Sequence, residues 1–471
     1  MSLQPQSAIE RSSYAGRICL IAAVGGLLFG YDTAVINGSI GFLQAHFSLS
    51  AAMTGWAASS ALLGCVLGVA LAGPSSDRWG RKFALVASGV LFLVSSIGTA
   101  LPSTLLQFIL FRILAGVGVG IASMASPMYI AEVAPADIRG RLVSVNQLAI
   151  VTGMLLIYFV NYFVARQGDA MWRVETSWRW MFASGIVPSG IFLGLLFFAP
   201  ESPRWLLQRG KSEEALLILD RIGGGEFAKN ELQEFRIVAD NAPAQASRMF
   251  TRSHVRLLAL GLALAVLQQI TGINVFLYFG TEIFKKLGSS VDTALLETVA
   301  VGAVNLVFTV VAIGTVDRIG RRPLMILGAA GMGLCLAAMG LMAEVGTSSA
   351  WALAPVLGYI AFFALSVGPV TWVILSEIFP TAIRGRGLAL ASFGLWVANF
   401  IVSQTFPIMD ENGFLVAHFH HAFPFLVFSL MCGVLILVTV KWVPETKGKS
   451  LEDIEITWAL RHSSPEPIQG K

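Results

Sequence analysis

The sequence predicts an all-α membrane protein whose twelve transmembrane helices form two six-helix bundles, joined by a short helical linker in the cytoplasm. Hydrophobic residues make up 55% of the 471 residues and charged residues 13%, whereas about a quarter of the residues of a soluble domain are charged. Apolar segments long enough to cross a bilayer are centred near positions 28, 63, 92, 118, 153, 190, 268, 307, 333, 363, 398 and 431. In addition, several loop motifs of the first half return in the second half.

Three loop motifs occur twice, at offsets of 240, 245 and 244 residues. The first copies are Asp77-Arg-Trp-Gly-Arg-Lys82, Glu132-Val-Ala-Pro-Ala-Asp-Ile-Arg-Gly-Arg141 and Pro200-Glu-Ser-Pro-Arg204. The second copies begin at Asp317, Glu377 and Pro444. Nearly equal offsets indicate an internal duplication, so we expect two bundles of parallel topology, as in transporters that rock one half against the other.

The repeat and the polar stretches set the predicted boundaries. We predict bundles at 1–201 and 257–443, a linker at 202–256 and a cytoplasmic tail at 444–471. Within the linker, helical charge patterning covers Lys211–Leu219, and a second short helix is expected over Lys229–Asp240 after the break at Gly223-Gly-Gly225. The tail is short, so we expect no signalling domain in it.

Lys and Arg are distributed unevenly around the spans. All but six of the 32 lie in the tails and the even-numbered loops, and the positive-inside rule therefore places both termini in the cytoplasm. We expect a protein of the cytoplasmic (plasma) membrane, in contact with membrane lipid. This topology accounts for the net charge of +4, and no basic patch suggests a nucleic-acid partner.

Span seven carries an unusual group of uncharged polar residues. Gln268, Gln269, Asn274 and Tyr278 lie in a stretch without charged residues, and amides in hydrocarbon are costly unless they meet a partner. On a straight helix they would spread over more than half of the circumference, but unwinding at Gly272 would turn Asn274 towards the glutamines. The pattern predicts a polar ligand or a wet cavity. Hydrogen bonding between neighbouring helices is the alternative.

Charged residues recur in the repeated loops, and we predict that they gate the transporter. The candidate gating residues are Asp77, Arg81, Glu132, Arg139, Asp317, Arg321, Glu377 and Arg384. The bases alone could simply orient the helices. Topology does not explain the recurring acids, which favours charge pairs that hold one conformation closed and release it in the other.

Other functional classes find little support in the sequence. The four cysteines lie in apolar spans without CxxC spacing, which predicts no disulfide and no zinc site. Gly116-Val-Gly-Val-Gly120 indicates close helix packing rather than a nucleotide loop. For His418, His420 and His421 we favour an exposed loop cluster over a metal site. With no convergent nucleophile and base and no cofactor motif, we expect neither an enzyme nor a cofactor.

The chain resembles the sugar porter family of the major facilitator superfamily over nearly its whole length. The resemblance rests on Gly25–Asp32, Pro200–Trp205, Gln268–Asn274, Asp317–Arg322 and Pro444–Lys449, and it is strongest to bacterial proton-coupled members for xylose and glucose. It implies uptake of a monosaccharide, D-xylose or D-glucose, by alternating access, with the proton as second partner. A facilitator without proton coupling and a non-transporting sugar sensor are the alternatives. We expect a functional monomer.

The resemblance implies particular sugar contacts. They are Gln147, Gln268, Gln269, Asn274, Tyr278, Asn305, Trp372 and Trp396. A pyranose presents hydroxyls at its edge and C–H groups on its faces, so amides beside aromatic rings suit it. Gly368-Pro369 should also break span ten. For the two tryptophans, ordinary packing in the bilayer is the alternative.

The resemblance also implies that Asp32 and Arg112 couple sugar entry to the proton gradient. An isolated charge at membrane depth costs on the order of 2.5 to 3.5 kcal/mol, so the two are expected to pair. The guanidinium favours the carboxylate, whereas burial favours the neutral acid. A fixed structural ion pair is the alternative. Two positions depart from the family pattern, namely Leu395 in place of a glutamine and Gly185 in place of an acid.

Overall fold

The structure is a computed structural model that describes residues 8–135, 138–240, 252–345, 349–379 and 383–447. The first ten helices are α1 Ala8–Phe47, α2 Ala51–Trp79, α3 Arg81–Ala100, α4 Leu105–Val133, α5 Arg139–Ala165, α6 Ala170–Trp172, α7 Trp178–Ala183, α8 Ile186–Phe198, α9 Pro203–Gln208 and α10 Ser212–Gly223. The second ten are α11 Gly225–Asp240, α12 Arg252–Ile270, α13 Ile273–Lys286, α14 Val291–Ile319, α15 Arg321–Val345, α16 Ser349–Phe362, α17 Gly368–Ile378, α18 Arg384–Asp410, α19 Gly413–Phe419 and α20 Phe423–Trp442. Single π-helical turns occupy Arg173–Ser177 and Phe363–Val367.

The predicted all-α class and the twelve spans are confirmed. Among the residues that the structure describes, twelve helical segments are long and apolar enough to cross a membrane, and each predicted centre falls within one of them. Spans six, seven and ten are each built from shorter helices, which the interruptions at Arg173–Ser177, Thr271–Gly272 and Phe363–Val367 separate. All four cysteines are free.

The residues group into two compact units. The first unit comprises Met1–Ala244 with Leu277–Ala303, and the second comprises Gln245–Phe276 with Val304–Lys471. Spans one to six thus belong to the first unit and spans nine to twelve to the second, while spans seven and eight each contribute to both. The predicted boundaries at 201, 256 and 443 stay predictions.

Glycines bring α2 and α4 together in the first unit. A Cβ atom on Gly116 would lie 1.8 Å from the carbonyl oxygen of Ala61, and one on Gly64 would lie 2.0 Å from that of Ile113. Such distances leave no room for a side chain, which agrees with the packing role predicted for Gly116–Gly120. This close crossing fixes α4, the helix that carries Arg112.

The described part of the predicted linker, residues 202–240, is helical, with one difference from the prediction at the break before its last helix. Ser202 caps α9 by accepting from the backbone N–H of Trp205 at 3.4 Å, and Pro203 follows at the first helical position. Only Gly224, at φ +92°, interrupts the chain between α10 and α11. Because one residue suffices for the break, α11 begins at Gly225 rather than near Lys229.

The predicted break in span seven is confirmed. Helix α12 ends at Ile270, α13 begins at Ile273, and Gly272 between them has φ +92°. Its α-carbon also faces the ring of Phe428, since a Cβ there would lie 2.6 Å from a ring carbon. Glycine is the residue that meets both requirements.

Candidate functional site

Three amides of the second unit form a chain of hydrogen bonds across the break in span seven. Asn274 Nδ2 donates to Gln269 Oε1 at 2.5 Å, and Gln269 Nε2 donates to Gln268 Oε1 at 3.4 Å. Gln268 and Gln269 are buried, with 3% and 6% of their surface exposed, and Asn274 is partly exposed. The turn at Gly272 therefore does bring Asn274 to the same side as the glutamines.

The amide chain ends on the interrupted helix of span ten. Gln268 Nε2 donates to the carbonyl oxygens of Val367 at 3.2 Å and Gly368 at 3.0 Å. These carbonyls lie at the end of the π turn, just before Pro369, which has no N–H to donate. The sequence predicted the break at Gly368-Pro369. The π turn Phe363–Val367 lies directly before these two residues. Gln268 binds the carbonyls at its end, and that of Val367 also accepts from the Thr371 hydroxyl at 2.7 Å.

The backbone at the break in span seven is satisfied in the same unit. The carbonyl oxygen of Thr271 accepts from the hydroxyl of Tyr359 at 2.9 Å. The ring of Tyr359 lies 4.8 Å from the ring of Phe276, centroid to centroid. Buried backbone groups rarely remain unpaired, so Tyr359 supports the interrupted geometry on which the amide chain depends.

The remaining predicted sugar contacts are distributed over both units. In the second unit Trp372 is 40% exposed, whereas Trp396 and Asn305 are buried. Leu395, one of the two departures, is buried beside Trp396. Gln147 on α5 is exposed and Tyr278 on α13 is buried, and both belong to the first unit. Their roles in binding sugar stay predictions.

Asp32 and Arg112 form the ion pair that the sequence predicted. Arg112 Nη1 lies 3.1 Å from Asp32 Oδ2 and also donates to the Asp32 backbone carbonyl at 3.3 Å. The Arg112 side chain is 1% exposed, and its guanidinium carbon lies 5.5 Å from the centre of the Phe182 ring. A buried pair of this kind resists separation, because a single buried charge without its partner is costly.

Asn37 is a polar residue of the first unit that the sequence analysis missed. Its Oδ1 accepts from the backbone N–H of Thr281 at 2.9 Å and from the Thr281 hydroxyl at 2.7 Å, while its Nδ2 donates to the carbonyl oxygen of Leu277 at 2.9 Å. Tyr158 donates to the same carbonyl at 3.1 Å. Asn37 thus binds α13 to α1. The sequence feature that could have identified Asn37 is its uncharged amide inside the apolar span one.

The first charge cluster comprises Asp77, Arg81, Glu132, Glu201 and Ser202. Arg81 Nε lies 3.0 Å from Glu132 Oε2, and Arg81 Nη1 lies 3.2 Å from Asp77 Oδ1. The Ser202 hydroxyl donates to Glu132 Oε2. Glu201 Oε1 accepts from the backbone N–H groups of Arg81 at 2.9 Å and Lys82 at 3.0 Å, at the start of α3. A carboxylate there satisfies helix N–H groups that have no partner within the helix.

The second charge cluster comprises Arg321, Glu377, Glu445 and Thr446, and it repeats this arrangement in the second unit. Arg321 Nη2 lies 3.0 Å from Glu377 Oε1, and the Thr446 hydroxyl donates to Glu377 Oε2 at 2.5 Å. Glu445 accepts from the backbone N–H of Arg321 at 3.1 Å and of Arg322 at 3.0 Å, at the start of α15. The duplication therefore extends from sequence motifs to individual hydrogen bonds.

The glycine of each repeated motif makes room for the capping carboxylate. Gly80 has φ +106° and Gly320 has φ +103°. A Cβ on Gly80 would lie 2.1 Å from a Glu201 oxygen, and one on Gly320 would lie 2.9 Å from a Glu445 oxygen. Both backbones thus adopt a conformation that glycine favours, at a place where a side chain would meet the carboxylate.

Backbone hydrogen bonds shift the titration of Glu445. Burial acts to raise the pKa of its carboxyl, but four N–H groups, those of Lys447, Arg321, Arg322 and Thr446, outweigh burial and hold the pKa below its usual range. Hydrogen bonds donated to a carboxylate favour the charged form. Glu445 is therefore a capping anion.

Not every predicted gating residue joins a cluster. Arg139 lies at the start of α5, and among the described residues no hydrogen-bond partner reaches its Nε. The side chains of Asp317 and Arg384 lie outside what the structure describes. Glu201, Ser202, Glu445 and Thr446 were missed as partners, although their Pro-Glu-Ser/Thr motifs recur at the same offset.

The three clustered histidines make separate contacts. His421 Nδ1 lies 3.1 Å from Asp410 Oδ1, His420 Nδ1 lies 3.2 Å from Glu344 Oε1, and His418 Nδ1 lies 2.8 Å from the carbonyl oxygen of Phe414. Within the described residues no group of three metal-binding side chains occurs.

Comparison with known proteins identifies the family. Residues 18–458 match the family described as "Sugar (and other) transporter". The chain is 47% identical to a D-xylose-proton symporter of Escherichia coli K12, covering 95% of this chain and 96% of that protein. It is 41% identical to an arabinose-proton symporter of Bacillus subtilis, covering 97% and 98%. It is 39% identical to a glucose facilitated diffusion protein of Zymomonas mobilis, covering 94% and 97%.

Solved structures show the same relationship. A major facilitator superfamily proton:xylose symporter bound to 6-bromo-6-deoxy-D-glucose superposes with a TM-score of 0.81 at 47% identity, covering 95% of this chain and all of the other. A partially occluded, inward open xylose transporter from E. coli superposes with a TM-score of 0.84 at 44% identity, covering 93% of this chain and all of the other. The resemblance inferred from the motifs is confirmed, and the chain belongs to the sugar transporter family of the major facilitator superfamily.

Proposed function

We propose that this protein takes up a D-aldose, xylose or glucose, by alternating access together with a proton, and that it is not an enzyme. The observation that carries the proposal is the chain of amides from Asn274 through Gln269 to Gln268 at two interrupted helices. Relatives named as D-xylose-proton and arabinose-proton symporters support it. The sugar would enter from either side in turn.

The chemistry of the amide chain suits a sugar. Each amide both donates and accepts, as a ring of hydroxyls requires. Trp372 adds an aromatic surface that is 40% exposed, and such a surface packs against the C–H face of a pyranose. A charged ligand would instead call for a charged partner, and the three amides carry none. We therefore propose a neutral polyol ring as the substrate.

Uptake of labelled sugar into proteoliposomes tests this proposal directly. Xylose, glucose, arabinose and other monosaccharides are added in turn as competitors, and the inhibition constants rank them. We expect an aldose to compete most strongly. Displacement of the label by a non-sugar, with no competition among sugars, would contradict the proposal, and binding without flux would indicate a sensor.

We propose that the buried pair Asp32–Arg112 carries the proton coupling. Among the described residues, Asp32 is the one carboxylate that lines the space between α1, α3, α7 and α8, and its side chain is 13% exposed while that of Arg112 is 1% exposed. A carboxyl with partial access to solvent can exchange a proton, and a guanidinium at 3.1 Å responds to its charge.

Replacement of Asp32 by Asn tests the coupling. Asp32→Asn removes the titrating proton but keeps a polar side chain of the same size, so exchange of sugar between equal concentrations should continue. Uphill accumulation and its dependence on external pH should be lost. Both are measured in proteoliposomes with and without an imposed proton gradient. Accumulation by the variant would assign Asp32 a structural role.

Facilitated diffusion remains the second candidate. It is favoured by the relative named as a glucose facilitated diffusion protein and by Gly185, which supplies no second carboxyl near Asp32. In that case the unmodified protein would equilibrate sugar without accumulating it, whatever the pH gradient. The same proteoliposomes distinguish the two candidates.

We propose that the charge clusters act in gating. Within the first unit, the first cluster joins the start of α3, the end of α4 and the segment that follows α8. Within the second unit, the second cluster joins the start of α15, the end of α17 and the segment that follows α20. A conformational change that separates these segments must break charge-assisted hydrogen bonds, which are the stronger kind.

We further propose that both termini lie in the cytoplasm, that the host membrane is the plasma membrane and that the protein works as a monomer.

A further inference from the structure

A small cavity of the first unit lies beside Asp32. It is lined from α1 by Tyr31 and Asp32, from α3 by Ser96, from α8 by Ser189 and from the turn before α8 by Gly185, and apolar side chains complete it. We call it the Gly185 cavity. It has room for about one water molecule. Its polar lining is therefore concentrated around a single acid.

The room in the cavity depends on Gly185. A Cβ atom at this position would lie 2.6 Å from Ser96 Oγ, closer than side chains approach one another. Any larger residue would therefore occupy the space or push Ser96 out of it. Five positions further along the chain, inside α8, a Cβ on Gly190 meets nothing within 4 Å, so a side chain there would change nothing.

Ser189 points to what fills the cavity. Its side chain is 1% exposed, and among the described residues no hydrogen-bond partner reaches its Oγ. A buried hydroxyl without a partner is costly, and buried waters typically satisfy such groups by making two to four hydrogen bonds. Asp32, Ser96 and Ser189 offer that number of partners in one cavity.

We propose that the Gly185 cavity binds one water molecule, held by Asp32, Ser96 and Ser189, and that this water accepts the proton that Asp32 releases. In that step the O–H bond of the Asp32 carboxyl breaks and an O–H bond to the water forms. The resulting hydronium passes its extra proton to solvent. Gly185 and Ser189 are positioning residues in this step. The second half of the inference rests on the proposed proton coupling.

The surroundings of Asp32 leave the water as the direct proton acceptor. The charged or titratable groups that face Asp32 are Arg112 from α4, Cys65 from α2 and Tyr31 on α1 itself. Arg112 is already a cation, and the cysteine and tyrosine are neutral acids at physiological pH. From α3, α7 and α8 the cavity lining contains no titratable side chain among the described residues.

Infrared difference spectroscopy tests the water without measuring transport. The spectrum between acidic and neutral pH contains the C=O stretch of protonated Asp32, identified by its loss in Asp32→Asn. Gly185→Ala should displace the water, and Ser189→Ala should remove one of its partners. In both variants we expect the band to move to higher frequency, because the hydrogen bond between the carboxyl and the water is lost in Gly185→Ala and weakened in Ser189→Ala. Gly190→Ala is the matched control and should leave the band in place.

Transport of the same variants tests the proton step. Gly185→Ala and Ser189→Ala should lower proton-driven accumulation several-fold while exchange between equal sugar concentrations continues, and Gly190→Ala should match the unmodified protein. If Gly185→Ala fails to fold, Ser189→Ala alone decides.

The possible failures can be told apart. An Asp32 band at one position in all variants, or no Asp32 band at all, would overturn the water site. Shifted bands with unchanged accumulation would overturn the proton step alone. Shifted bands in an unmodified protein that never accumulates sugar would support the water site and overturn the proposed coupling.

Discussion

Gln268, Gln269 and Asn274 show what an uncharged amide can do inside an apolar helix. Each carries a donor and an acceptor on one short side chain, so the three satisfy one another and two backbone carbonyls without a charge. Gln268 and Gln269 can therefore stay buried when no ligand is present. A carboxylate or an ammonium group at the same position would need a counter-ion.

Truncation of Gln268 tests its role as a sugar contact. Gln268→Ala removes a side chain that donates and accepts, and a typical hydrogen bond contributes about 0.5 to 1.5 kcal/mol. The dissociation constant for sugar should therefore rise about 2- to 12-fold, as isothermal titration calorimetry measures, while the protein still inserts. Gln107→Ala, which alters an exposed amide near the start of α4, should leave the affinity unchanged. An unchanged isotherm for Gln268→Ala would remove it from the proposed site.

At the scale of the helices, two interruptions bring polar atoms together. The glycine at 272 opens span seven, and the π turn Phe363–Val367 opens span ten. At each interruption a side chain of the same unit donates to a backbone carbonyl, Tyr359 in one case and Gln268 in the other. Gln268 thus links the two interruptions, because its backbone lies in span seven and its side-chain amide donates to carbonyls of span ten.

The conformation at Gly272 has a measurable cost if a side chain is added. Gly272→Ala should destabilise the protein by about 1 to 2 kcal/mol for the positive φ alone, with an added clash against Phe428. The apparent Tm in detergent should fall accordingly. The control Gly433→Ala lies inside α20, where a Cβ meets nothing within 4 Å. It should be neutral or slightly stabilising, since alanine favours a helix by about 0.5 to 1 kcal/mol over glycine. Equal Tm values for the two variants would contradict this account.

The sequence predicted these interruptions unequally well. A glycine among four polar residues marked the break at Gly272, because those residues could share one side of the helix only if the helix turned there. Gly368-Pro369 located the break in span ten but not its π form. A π turn changes which carbonyl each N–H meets and leaves the apolar periodicity almost unaltered, so Gln268 could not be matched to Val367 and Gly368 in advance.

Across the whole molecule, the duplication preserves chemistry more closely than residue identity. Ser202 and Thr446 differ by a methyl group and donate to equivalent carboxylates, those of Glu132 and Glu377. The sequence predicted the recurring acid and base pairs, and Arg81–Glu132 and Arg321–Glu377 are in contact. It did not predict that Glu201 and Glu445 cap helices that begin more than a hundred residues earlier in the chain. That contact depends on tertiary packing, which no local pattern records.

Neutralising the two capping acids should have parallel effects. Glu201→Gln and Glu445→Gln should each lower stability by about 1.5 kcal/mol, the lower end for charged hydrogen bonds, because both carboxylates are partly exposed. The apparent Tm in detergent measures the loss. Glu214→Gln, which alters an exposed pair with Lys211, should be near neutral. A loss in one capping variant only would show that the two units do not use the motif alike.

The effect of Glu445→Gln should also depend on pH. The pKa of Glu445 is lowered in the folded protein, so its stabilisation is complete above the unfolded value of about 4.3 and is lost as pH falls through the folded value. The difference in Tm between Glu445→Gln and the unmodified protein should therefore be largest near neutral pH and should shrink on acidification. A constant difference across this range would show that the charge of Glu445 is not what stabilises α15.

The hydrogen bonds from Gln268 to span ten give sugar binding the character of an exchange. A sugar hydroxyl that accepted from Gln268 Nε2 would replace bonds already made to the carbonyls of Val367 and Gly368. Little net heat would be released at that contact, because one hydrogen bond would be traded for another. The carbonyl of Val367 would keep the hydrogen bond from the Thr371 hydroxyl at 2.7 Å. Occupancy of the site would thus remove hydrogen bonds that join span seven to span ten. Sugar binding would thereby change how firmly the two spans are held together.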